Sequence, residues 1–170
     1  MAGRVLIKQM IQQVFLQDQP LDQITLEYRS QGAPFVSGRP EIAFSLSHSG
    51  GYTAAACCPD SGRGSDNGMS LGIDIEKIAK KPDNGFLKTA FSPAELEALG
   101  SQASASDIFK QWTVKEAYLK YIKKGFNESL HQVEIINNQI FHRRKKVDVT
   151  IFSTPLDEQD GGYMLSLVYD

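Results

Sequence analysis

Residues 71–78, LGIDIEKI, alternate apolar and acidic side chains through Ile73, Asp74, Ile75 and Glu76. Side chains of a strand point to opposite faces in turn. This spacing therefore predicts a β-strand with Ile73 and Ile75 toward a core and Asp74 and Glu76 together on the other face. Working toward the N-terminus, residues 4–16 place Val5, Leu6, Met10, Val14 and Phe15 at helical spacing, which predicts an amphipathic helix. Ile24–Tyr28 is a predicted strand, and Gly32, Pro34, Gly38 and Pro40 mark a loop. Ile42–Leu46 and Tyr52–Cys58 are predicted strands flanking the segment Ser47-His48-Ser49-Gly50-Gly51, and a Gly-, Ser- and Asp-rich connection, Pro59–Ser70, leads into Leu71. Toward the C-terminus, helices are predicted over residues 92–100 and 106–124. A meander follows: Val133–Ile136, a turn at Asn137-Asn138, Gln139–Arg144, Val147–Ser153 and Tyr163–Tyr169. Helices and strands are grouped rather than alternating, which predicts an α+β fold with segregated sheets and not a parallel βαβ array.

Composition narrows the function. Of 170 residues, 41% are hydrophobic and 22% charged, enough to bury a core without disulfides and too apolar for a disordered chain. Lys and Arg total 18 against 20 Asp and Glu, a net charge of −2, which argues against a dedicated nucleic-acid binder. Cys57 and Cys58 are adjacent, which suits neither a disulfide framework nor a zinc site. They read as small buried strand residues in a reducing compartment. No apolar run approaches the roughly 18 residues of a membrane span, and the first residues lack a secretory leader pattern. The expectation is a cytoplasmic protein with no membrane and no nucleic-acid partner.

Four segments could carry chemistry. Asp74 and Glu76, side by side, repel unless a cation sits between them, which is how oxygen ligands for Mg²⁺ are presented; the alternative is a half-exposed strand with a polar outer face. On the second helix, Ile108, Phe109, Trp112, Leu119 and Ile122 form one apolar face, and Glu116 falls within its arc with Lys115 near the edge. A carboxylate there needs a partner, either Lys120 at i+4 or a functional ligand. In Phe91-Ser92-Pro93-Ala94-Glu95-Leu96, Ser92 fits an N-cap, Pro93 the first helical position and Glu95 a capping box, with Phe91 and Leu96 as a hydrophobic staple. His48, followed by two glycines, could donate to a phosphate or be a structural histidine. The basic run Arg143-Arg144-Lys145-Lys146 reads as a solvated turn.

Together, FSLSHS (44–49), LGIDIE (71–76), FSPAE (91–95) and WTVKEAYLK (112–120), in this order, resemble the signature of the 4′-phosphopantetheinyl transferases, in their larger surfactin-synthetase (Sfp-like) type. The resemblance runs through nearly the whole chain. It implies a pseudo-dimer of two α+β halves, residues 1–70 and 71–170, within a single unit of 170 residues whose first half is shortened at the N-terminus. It implies Asp74, Glu76 and Glu116 as Mg²⁺ ligands, and Ser47, His48, Lys115 and Lys120 as coenzyme A contacts. It also implies Glu116, Lys120 and Glu95 as catalytic groups, with Trp112 in support. The implied reaction is Mg²⁺-dependent transfer of the phosphopantetheine arm of coenzyme A to a serine of an apo acyl or peptidyl carrier protein, releasing adenosine 3′,5′-bisphosphate. The alternatives are a non-catalytic carrier-binding homologue and a Mg²⁺-dependent coenzyme A pyrophosphate hydrolase. The family's Gly-Lys-Pro segment stands here as Gly32-Ala33-Pro34, so one basic contact is missing, and Arg39 is the candidate replacement. Lys80, Lys81, Lys88 and Lys110 are candidate steering charges for an acidic carrier.

Overall fold

Helix α1 (Ala2–Phe15) leads into a short hairpin, β1 (Leu26–Tyr28) and β2 (Pro34–Val36), and a long one, β3 (Ala43–Ser49) and β4 (Tyr52–Cys58). Strand β5 (Leu71–Lys77) precedes α2 (Asn84–Ala90), α3 (Pro93–Leu99) and α4 (Ala105–Tyr121). The chain closes with β6 (Val133–Ile136), β7 (Gln139–His142), β8 (Lys145–Lys146), β9 (Thr150–Leu156) and β10 (Tyr163–Tyr169). The structure is a computed structural model that describes residues 2–30, 32–58, 70–78, 80–124, 128–156 and 162–170. Residues 59–69, most of the predicted Gly-rich connection, lie outside the described set.

The mixed α+β class is as expected, but the C-terminal strands are not one meander. Strand β10 sits between β5 and β9, antiparallel to both, while β6, β7 and β8 form a separate sheet. Val147–Val149 lies outside the strands because β9 begins at Thr150. The Asn137-Asn138 turn is present, with both residues left-handed at φ 51° and 58°, as a two-residue hairpin turn requires. Three of these elements were not anticipated: β2, in the segment read as loop, β8, in the basic run read as a solvated turn, and α2, capped by the Asp83 carboxylate accepting from Phe86 N–H at 2.8 Å.

Helix α1 packs through Ile7 and Ile11, fully buried against Ile24, Val36, Ile42 and Phe44, while Val5 and Val14 are exposed. Apolar residues occur on two sides of this helix, so periodicity alone picked the wrong stripe. Helix α4 departs further from expectation. Residues 113–119 are buried without interruption, because the helix runs between β5 and β10 on one side and β6 on another. Val114, Ala117, Tyr118 and Leu119 pack with Val133, Ile135, Ile140 and Val168, while Phe109 and Trp112 of the expected apolar face are only half-buried.

Glu128 anchors the far end of this core. Its carboxylate accepts from Lys124 Nζ at 3.1 Å and Arg143 Nη2 at 3.1 and 3.2 Å, which holds its pKa down at about 2. Arg143, from the run read as a solvated turn, thus has a structural partner. A depressed carboxylate pKa stabilises the fold above the unfolded value of 4.5 and loses that contribution as pH falls toward 2. Solvent reaches the lysine and arginine, so Glu128→Gln is expected to cost about 1–2 kcal/mol at pH 7 in urea unfolding. The gap to the parent should close between about pH 4.5 and 2; a gap independent of pH would contradict this assignment.

Candidate active site

The site grows from an unusual seam. Strands β3 and β5 share no backbone ladder, yet β3 lies along β5 and serine hydroxyls bridge the gap. Ser45 Oγ accepts from Ile73 N–H at 3.1 Å, and Ser49 Oγ accepts from Lys77 N–H at 3.0 Å. Ser47 Oγ donates to Asp74 Oδ1 at 2.7 Å, and Ser49 Oγ donates to Glu76 Oε2 at 2.8 Å. Serines at every second position thus engage two edge N–H groups of β5 and one oxygen of each carboxylate. The alternation Ser45, Ser47, Ser49 is visible in the sequence, but Ser45 and Ser49 were not read from it as site residues.

Helix α4 closes the other side of β5. A Cβ on Gly72 would lie 2.0 Å from Ala117 O and 2.4 Å from Tyr121 N, so only glycine lets the backbones meet. Asp74 is 3% exposed, against the expectation of a half-exposed outer face. Lys120 does not pair with Glu116 at i−4. Its ammonium donates to Asp74 Oδ1 at 2.7 Å instead. That leaves two buried carboxylate oxygens, Asp74 Oδ2 and Glu116 Oε1, without a hydrogen-bond partner among the described residues. Burial, and then the charge of Asp74, pushes the Glu116 pKa up to about 7. Asp74 and Glu76 are also raised, each chiefly by burial; Lys120 and Ser47 oppose the rise at Asp74, and Ser49 and Trp112 oppose it at Glu76. The charge of Asp74 thus acts on both Glu76 and Glu116, and Lys120 opposes the rise at all three.

Among the described residues, no three His, Cys, Asp or Glu side chains already stand as a metal-ligand group. The donor chemistry nevertheless suits a hard divalent cation: carboxylate oxygens, two of them buried and unpartnered, whose mutual repulsion a cation would relieve.

Other predicted site residues are placed elsewhere. His48 is exposed, within β3 rather than in a loop, on the face it shares with Phe44 and Leu46 and opposite Ser47. The glycines after it do not leave room for a ligand at Gly50, where a Cβ would lie 2.4 Å from the Tyr163 hydroxyl; that phenol also accepts from Gly51 N–H at 3.3 Å. Arg39 pairs with Glu41, two residues along, and is not among the residues of the pocket beside Ala33. Glu95 and Lys115 are each fully buried, bonded to one another at 2.7 Å and apart from the Asp74–Glu116 cluster. Lys115 also donates to the Ala90 and Leu130 carbonyls at 2.8 and 3.1 Å. Glu95 accepts from Ser92 N–H at 2.8 Å and Ile135 N–H at 2.9 Å, completing the expected capping box.

This pair locks α3 and β6 onto α4. Removing one partner of a buried pair strands the other charge. Lys115→Met is therefore expected to lower stability by about 3 kcal/mol in urea unfolding. Adding Glu95→Gln should return part of the loss; a further loss in the double variant would contradict the pairing.

Comparison with known proteins bears on the whole arrangement. The profile of the 4′-phosphopantetheinyl transferase superfamily matches residues 70–163, which carry β5, α4 and the Glu95–Lys115 pair. The chain is 31% identical to 4′-phosphopantetheinyl transferase gsp of Aneurinibacillus migulanus, over 96% of this chain and 65% of that protein. It is 33% identical to 4′-phosphopantetheinyl transferase psf-1 of Bacillus pumilus, over 75% of this chain and 51% of that protein. It is 30% identical to 4′-phosphopantetheinyl transferase Sfp of Bacillus subtilis strain 168, over 76% of this chain and 57% of that protein. The chain thus spans between half and two thirds of the length of these curated relatives. The matched profile covers more than half of the chain, including the strand and helix that bring Asp74 and Glu116 together, so the chain belongs to the 4′-phosphopantetheinyl transferase superfamily, in its Sfp-like type.

Proposed function

We propose that this chain transfers the phosphopantetheine arm of coenzyme A to a serine of an apo acyl or peptidyl carrier protein and releases adenosine 3′,5′-bisphosphate. The observation that carries the reading is the pair of buried, unpartnered carboxylate oxygens, Asp74 Oδ2 and Glu116 Oε1, with Asp74 also bonded to the Lys120 ammonium. Asp74, Glu76 and Glu116 are the residues that would hold Mg²⁺, which when bound neutralises pyrophosphate charge. Lys120 supplies a further positive charge toward the same oxygens.

In the transfer, the acceptor serine oxygen forms a bond to the phosphorus of the pantetheine phosphate. The bond from that phosphorus to the bridging oxygen breaks, and the electron pair leaves with adenosine 3′,5′-bisphosphate. Glu116 is the group we assign to take the serine proton, directly or through water. Glu95 and Lys115 act by holding α3 against α4, since their polar atoms are already engaged with one another and with backbone groups. His48, on the β3 face it shares with Phe44 and Leu46, is assigned to a coenzyme A phosphate.

The finer architecture belongs to the same proposal. Residues 1–70 and 71–170 form two α+β halves of a pseudo-dimer joined at the β3–β5 serine seam, acting as a cytoplasmic monomer. Carrier docking falls beside the groove of about 500 Å³ between α2 and α3, where Lys81 and Lys88 supply charge complementary to an acidic partner. The test follows release of adenosine 3′,5′-bisphosphate with carrier or Mg²⁺ withheld in turn. Release that needs both supports the transferase. Release without carrier would make the chain a pyrophosphate hydrolase, and carrier binding without release a non-catalytic homologue.

A further inference from the structure

The hairpin that carries the site serines turns through Ser49-Gly50-Gly51-Tyr52, where Ser49 and Tyr52 pair across two glycines. We propose that Tyr163 and Ser49 are positioning residues for Glu76: the Tyr163 hydroxyl pins this turn, and the pinned turn holds the Ser49 hydroxyl on the Glu76 carboxylate. The role of Glu76 as a cation ligand rests on the transferase reading above; the linkage itself rests on the following geometry.

Ser49 stands at a junction. Its Oγ accepts from Lys77 N–H at 3.0 Å and donates to Glu76 Oε2 at 2.8 Å, so one hydroxyl ties the end of β3 to both the backbone and a carboxylate of β5. Glu76 is half-buried, and burial raises its pKa; Ser49 is the strongest influence in the opposite direction. The hydroxyl therefore favours the ionised carboxylate, the form a cation binds. It also fixes one of the two oxygens, as the partners behind a metal ligand commonly do. Ser47 makes the matching bond to Asp74 from the buried middle of β3. Ser49 lacks that support, because β3 and β5 share no backbone ladder and two glycines follow it at once.

Tyr163 supplies the support from β10. Its ring is buried and packs with Ala54, Ile73 and Ile75. Its hydroxyl accepts from Gly51 N–H at 3.3 Å and abuts Gly50, where a Cβ would lie 2.4 Å from the same oxygen. Gly50 has φ +54°, so the backbone excludes a side chain there as firmly as the phenol does. On the other side of the turn, the Tyr52 ring stands 4.6 Å from that of Tyr163. Tyr163 in turn pairs with Lys77 in the β5–β10 ladder, and Lys77 is the residue whose N–H Ser49 accepts. The contacts close a circuit: Lys77 to Tyr163, Tyr163 to the turn, and Ser49 back to Lys77 with the Glu76 carboxylate on the same hydroxyl.

Mn²⁺ binding to the full chain, read from the paramagnetic resonance signal of the free ion, tests the linkage apart from turnover. Ser49→Ala should weaken binding about tenfold, the low end of what such partners contribute to a metal site. Tyr163→Phe keeps the ring in its packing and loses only the hydroxyl. It should weaken binding about threefold, the scale of one neutral hydrogen bond. Because Tyr163 acts through Ser49, the double variant should bind as Ser49→Ala alone does. Ser49→Thr, which keeps the hydroxyl, should bind like the parent, and each variant should keep the parent's circular dichroism spectrum. Losses that multiply in the double variant, unchanged binding in either single variant, weak binding by Ser49→Thr, or no binding by the parent would overturn the proposal. If binding follows Ser49 and Tyr163 but no carrier is ever modified, the positioning stands and the transferase reading falls. Carrier modification with Mn²⁺ binding indifferent to both residues gives the reverse.

Discussion

Asp74→Asn is expected to cut turnover about a thousandfold while Tm stays the same or rises by a few degrees. The activity loss follows from what Asp74 touches: it holds Lys120 at 2.7 Å, accepts from Ser47 at 2.7 Å and presents the unpartnered Oδ2 to the cluster. An electrostatic group aimed at a transferring phosphoryl is worth several kcal/mol of barrier, which sets the thousandfold scale. Stability should move the other way. Burial is the largest influence on Asp74 and raises its pKa, so its charge is a cost to the folded state at neutral pH despite Lys120. Asn keeps the shape and removes that cost, and it relieves Glu116, for which the Asp74 charge is the second-largest cause of the raised pKa. Near-normal turnover in Asp74→Asn, with the fold intact by circular dichroism, would refute the assignment of the cluster as the reacting site.

Gly72→Ala is expected to be the most damaging methyl at any glycine among the described residues, lowering stability by about 4 kcal/mol or more or preventing soluble expression. The added carbon meets backbone on both sides, Ala117 O at 2.0 Å and Tyr121 N at 2.4 Å, so no side-chain rotation makes room. Relief requires α4 to move off β5. That movement would open the core around Ala117 and Val168 and pull Lys120 from Asp74. Gly51→Ala is the control, because nothing lies within 4 Å of the corresponding position there. Equal stability of the two variants, measured by urea unfolding, would contradict the close approach.

How much of this was legible beforehand depends on whether the signal was local. The Ser92–Glu95 capping box, the Asn137-Asn138 turn and the strand at Leu71–Lys77 follow from short-range rules, and each is present. The grouping of Asp74, Glu76 and Glu116 as one ligand set rests on the resemblance and was not derivable from spacing. Local reasoning failed where a second element decides the environment. Glu116 and Lys120 satisfy the i, i+4 rule, yet Lys120 crosses to β5, where Asp74 offers it a buried carboxylate oxygen at 2.7 Å. Lys115 sat at the edge of a predicted apolar face and proves fully buried, since α3 delivers Glu95 to it from 20 residues away. Period-2 reading also mistook burial on one face of β5 for burial on one face only; α4 covers the other, and Gly72 was the residue that could have shown it.

The most direct measurement is the intact mass of apo acyl and peptidyl carrier proteins after incubation with the full chain, coenzyme A and Mg²⁺. The expected result is a gain of one phosphopantetheine on the acceptor serine, matched by an equal amount of adenosine 3′,5′-bisphosphate and lost with Asp74→Asn. No gain on any carrier with the chain folded, or the same gain from Asp74→Asn, would contradict it.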